Sequence, residues 1–211
     1  MKKSANVFEK MFKKIIGAYQ VLGLLIFLVG FSINLLPSII LLTTQTKQMT
    51  TWQAMQLQYI FFICHSLTVI PGFILIKKLG PDQLTHHAIQ ICLTALLIIG
   101  AITQWHFTKL LPASIGLLAC ALGLLKVTIN SKIIDQQKDH QYHKYTMKLM
   151  CADTIGAITS PIITSYFIMP NQNNFNCSPI VFFIALGACY CIALSANKKN
   201  VTNTPLNNTP I

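Results

Sequence analysis

Two ionisable side chains stand inside apolar runs, where a charge is expensive: Lys126, in ALGLLKVTIN, and Asp153, in LMCADTIGAI. Charges within membrane-spanning segments are rare and by default mark a substrate or ion pathway. If their helices are neighbours, the two groups sit at similar depths, about 6 and 9 Å from the helix ends at 1.5 Å per residue. An ion pair across the seam and a pair of polar cavity groups are then both open. Lys126 has a third course, which is to snorkel its ammonium out to the headgroups. Asn34 and Asn130 carry amides that donate and accept at once, which suits a hydroxylated solute and equally suits glue between helices. His65 brings an imidazole into another apolar run, for proton movement in a cavity or for a hydrogen bond across helices. His140-Gln141-Tyr142-His143, with Asp135 and Asp139 nearby, has metal-ligand types but lies in a lysine-rich connection. We assign it no metal, and the chain no cofactor. H-E-x-x-H, G-x-S-x-G and paired carboxylates are all missing from the apolar runs, so no enzyme activity is expected.

The elements that must position these groups follow from composition. The 211 residues are 53% hydrophobic and only 10% charged. That is too little charge to cover a soluble domain, so a bilayer must solvate much of the outside. Runs of about 20 apolar residues can each cross the bilayer as a helix. They predict an all-α polytopic membrane protein, a bundle of six transmembrane helices over residues 16–42, 58–76, 88–105, 111–130, 147–169 and 178–196. A basic stretch, residues 1–15, precedes the bundle, and a polar Asn/Thr/Pro-rich tail, residues 197–211, is expected to be disordered. The first run is far longer than the roughly 7–15 residues of a signal-peptide core, and no A-x-A site follows it. It reads as a retained helix.

The net charge of +11 would point to nucleic acid in a soluble protein. Here all sixteen basic residues are lysine, without arginine's bidentate fork, and they cluster in short connections, so no nucleic-acid partner is expected. Thirteen of them fall on one side of the predicted bundle: five before residue 15, then Lys77, Lys78, Lys132, Lys138, Lys144, Lys148, Lys198 and Lys199. Lys47 and Lys109 fall on the other. The positive-inside rule makes the lysine-rich side cytoplasmic, with both termini there, and we expect a bacterial cytoplasmic (inner) membrane. The seven cysteines are odd in number and lack a C-x-x-C pair, which argues for small apolar fillers rather than a disulfide framework.

The order of segments resembles one family. FLVGFSINLLPSII (27–40) is followed by Trp52-Gln53-Ala54 and by QYIFFICHSLTVIPGFILIKKLG (58–80). ALGLLKVTINS (121–131) and LMCADTIGAITSPI (149–162) come later. Over about residues 17–196 this is similar to the N-terminal six-helix half of a major facilitator superfamily transporter, most of all in the fucose/glucose/galactose–proton symporter branch. Pro71, Gly72, Lys77, Lys78 and Gly80 approximate that branch's P-x-G-x-L-x-K-K-x-G turn between helices 2 and 3. An overlay puts Pro37 where the family has an aspartate and Lys126 where it has a glutamate, with Asn130 matching an asparagine. Met150 falls on an expected glutamine and Asp153 on an expected asparagine. Those positions serve proton coupling and sugar contact in the family, so the resemblance implies cavity roles for Asn130, Lys126 and Asp153 but not the coupling acids. It implies a half-size secondary transporter for a small solute such as a monosaccharide. A second six-helix half or another copy of the chain would complete it. The missing acids leave a second reading open: a non-transporting remnant or an accessory membrane subunit.

Overall fold

Gly80 divides the longest helix of the chain. Its φ of 78° and ψ of 159° lie in the left-handed region that a side chain disfavours, and Pro81 follows with no N–H to continue the helical ladder. The computed structural model describes residues 21–40, 50–105, 108–135, 142–167 and 179–202, and among them the chain is wholly helical. α1 covers Val21–Ile40 and α2 Thr51–Trp105, with its two limbs, residues 51–79 and 81–105, meeting at Gly80. After a 3-10 turn at Thr108–Leu110 come α3, Leu111–Asp135, α4, Tyr142–Phe167, and α5, Pro179–Thr202.

Three helical stretches are long and apolar enough to cross a membrane: Val21–Ile40, Thr51–Ile102 and Leu111–Ile134. They mark an integral membrane protein. The expected six helices thus become five, three of them of spanning character among the described residues. Two causes are visible. The predicted helices 2 and 3 are the two limbs that Gly80 separates, counted together as α2, and α4 spreads Lys148, Asp153, Thr154, Thr159, Ser160 and Thr164 along its length.

Helix ends also move. α2 begins at Thr51, seven residues before the predicted start, because Thr50 and Gln53 form a capping box: the Gln53 amide donates to Thr50 Oγ1 (3.3 Å) while Gln53 Oε1 accepts from the Thr50 amide (3.1 Å). α3 continues to Asp135 and α5 to Thr202, past the predicted ends and into the tail expected to be disordered, since no glycine or proline intervenes before Pro205. The basic stretch 1–15 lies outside the described residues.

Glycines set the close seams. On α3, Gly116 faces Cys64 and Gly123 faces His65 and Thr68, while Gly72 on the first limb of α2 faces Leu124 and Val127. These contacts advance in the same direction along both helices, so the first limb and α3 lie parallel. α1 and α4 are parallel by the same test, Gly23 facing Leu149 and Gly30 facing Asp153. A Cβ on Gly156 would overlap the Phe27 carbonyl, so only glycine allows that approach. The second limb packs on α5, with Leu93 against Gly187. α3 is the interior helix, with 72% of its most apolar window buried, against 11% for that of α2. The outer face of the first limb shows Trp52, Tyr59, Phe62, Leu67, Ile70 and Phe73, the surface a bilayer solvates.

Candidate functional site: a polar cavity between α1, α3 and α4

From Leu118 to Asn130, two residues of α3 are exposed, Lys126 and Asn130. They lie one turn apart and so share a helix face. On a helix buried over most of its apolar length, such a face opens into a cavity. That cavity has a volume of about 380 Å³ and is lined by Lys126, Asn130, Asp153 and Thr146 among apolar walls from Ile26, Val29, Ile129, Ile133, Leu149 and Met150.

Asp153 reaches it from α4, where α1 makes room. A Cβ added to Gly30 would fall 2.5 Å from both the backbone oxygen and Oδ1 of Asp153. The carboxylate therefore lies over a bare Cα, and any side chain at position 30 would displace it. Lys126 stands nine residues before the end of α3 and Asp153 eleven after the start of α4, about 14 and 17 Å of helix rise. Measured from the adjoining ends of α3 and α4, the two residues are nearly level, as the sequence implied.

The structure brings Lys126, Asn130 and Asp153 into one cavity. It does not pair the two charges: among the described residues the ion pair formed is Lys132–Asp82, 2.8 Å, joining the end of α3 to the start of the second limb. Asn34 is not part of the cavity lining. Its Nδ2 donates to the Gly30 carbonyl one turn back (2.9 Å), so it braces the backbone beneath Asp153. His65 stacks on Phe61 with ring centroids 5.9 Å apart and hydrogen-bonds the Ala119 carbonyl through Nδ1 (3.3 Å). It is a link across the first limb–α3 seam, the second of its two sequence alternatives.

Two contributors were not legible in the sequence. Thr146 Oγ1 is buried in the cavity wall with no hydrogen-bond partner, and a threonine at the head of a helix gives no sign of this. Gly30 could have been suspected from its place one turn before Asn34, but its role depends on α4. The His140–His143 cluster lies in or beside residues 136–141, outside the described residues, and no cluster of three metal-ligating side chains occurs among those described.

A second polar group of α1 faces the opposite way. Tyr190 of α5, fully buried, donates to the Leu28 carbonyl (3.0 Å). Since its one proton is committed there, Ser32 Oγ is the donor in the 2.9 Å contact with the Tyr190 oxygen. Every hydroxyl here is satisfied and sealed.

Compared with known proteins, the chain matches no family model, no curated protein and no solved structure.

Proposed function

We propose that this chain is one half of a secondary transporter of the major facilitator type, moving a small polar solute with the help of a second bundle. Counting the limbs of α2 separately gives six crossings, with the lysine-rich ends on the cytoplasmic side of a bacterial inner membrane. The observation that carries the reading is a half-open, largely apolar cavity between α1, α3 and α4 that gathers Lys126, Asn130, Asp153 and an unpartnered Thr146 hydroxyl. Ionisable groups held at that depth without a partner are costly unless they serve a pathway.

The cavity is lined by three helices, α1, α3 and α4. Alternating access needs two bundles rocking about a central site, so another copy or a separate six-helix chain completes the transporter. The monosaccharide class rests on the resemblance alone. One observation favours the alternative of a non-transporting remnant or accessory subunit: α1 carries Pro37, and no acid, where the resemblance calls for a coupling aspartate.

The test is uptake into proteoliposomes of the full chain, with whatever co-purifies in mild detergent. A radiolabelled panel of monosaccharides and amino acids would serve as probes. Saturable uptake that fails when Lys126 or Asp153 is neutralised supports the transporter. A protein that binds and moves no member of the panel supports the remnant. Uptake by strictly monomeric chains would overturn the need for a second bundle.

A further inference from the structure

The cavity holds one positive and one negative group that do not pair with each other. Its possible occupants differ in what they leave unsatisfied. A neutral sugar leaves both charges facing low dielectric. An anion meets Lys126 but sets a like charge before Asp153, and a cation does the reverse. A solute carrying both charges satisfies the two groups and adds no net charge to the membrane interior, where uncompensated charge is most costly.

The surroundings fit the same class. The Lys126 ammonium, the Asn130 amide one turn away and the free Thr146 hydroxyl are all donors, and together they suit a carboxylate. On α4, two turns from Thr146, the Asp153 carboxylate, held over Gly30, accepts from an ammonium. Val29, Ile129 and Leu149 supply an apolar wall. The volume of about 380 Å³ falls within the range of about 300–1,000 Å³ typical of small-molecule sites.

We infer that this cavity binds a small zwitterion with an apolar body, an α-amino acid in chemical class, its carboxylate on Lys126 and its ammonium on Asp153. The inference rests on reading the cavity as the solute site of a transporter, and it replaces the sugar implied by the resemblance.

Four probes separate the possibilities on the full chain in detergent, read by ligand-induced thermal shift and titration: L-valine, isobutylamine (valine without its carboxylate), isovalerate (valine without its ammonium) and D-galactose. L-Valine should bind at least tenfold more tightly than the other three, the loss expected when one charged contact is removed. Lys126→Gln should weaken L-valine about tenfold while leaving isobutylamine unchanged. Asp153→Asn should weaken L-valine similarly while leaving isovalerate unchanged. Retained binding of the unaffected probe shows that each variant is folded. Binding of D-galactose but not L-valine would overturn the zwitterion and leave the transporter standing. Binding of none of the four would overturn both. Equal weakening of all probes by both variants would also overturn the inference, since it denies each charge its own half of the ligand.

Discussion

α1 borders two polar regions that handle the same difficulty in opposite ways. Towards α5, Ser32, Tyr190 and the Leu28 carbonyl complete one another's hydrogen bonds inside a region with no exposed surface. Towards α3 and α4, Lys126, Asp153 and Thr146 share a cavity in which neither the two charges nor the hydroxyl has a partner. Within a membrane an unsatisfied polar group costs free energy whichever region it occupies. The first region avoids that cost by pairing, so its polar atoms hold helices together. The second keeps its groups unpaired and available, so its polar atoms await something else. Pairing, more than polarity, separates a structural group from a site.

The comparison breaks most sharply at Tyr190. Tyr190→Ala should destabilise the detergent-solubilised protein by about 3–5 kcal/mol, as large aromatic truncations do, with a fall in membrane accumulation. A loss below about 1 kcal/mol would mean the α1–α5 region is not the clamp described here. Gly30→Ala comes next, because its methyl meets Asp153 across the α1–α4 seam. A cost of about 1–3 kcal/mol is expected from overpacking, together with loss of ligand-induced stabilisation. An unfolding midpoint and ligand response both equal to wild type would show that the seam gives way freely. Tyr190→Phe keeps the ring and removes only the hydroxyl, so denaturant unfolding should report about 1 kcal/mol, the scale of an interhelical hydrogen bond in a membrane. The smallest effect belongs to the cavity. Lys126→Gln and Asp153→Asn should each leave stability unchanged or raise it slightly, since each removes a charge without a partner, and should add without coupling in the double variant. Rescue of one by the other would reveal an ion pair and erase the contrast between the two regions.

Much of the architecture was legible in the chain itself. Apolar runs of spanning length announce the membrane, because hydrocarbon solvates only helices with closed backbone ladders and apolar surfaces. The Thr50–Gln53 cap is legible too, in its T-x-x-Q spacing. Lys126, Asn130 and Asp153 stand out for a simple reason: residues that hydrocarbon penalises are noticeable in an apolar run.

What the sequence could not decide is which side of each helix meets protein and which meets lipid. α3 and α2 are both apolar enough to span a membrane, yet the window of one is 72% buried and that of the other 11%. Lipid tails are as apolar as a protein core, so hydropathy does not distinguish the two environments. For the same reason Asn34 and Asn130 look alike in the sequence. The tertiary structure separates them: Asn34 donates to its own helix backbone outside the cavity, while Asn130 lines the space where α1, α3 and α4 meet. The depth, company and unpaired state of Lys126 and Asp153 likewise arise from helix ends and glycine seams. Those are properties of three helices together, which no single apolar run contains.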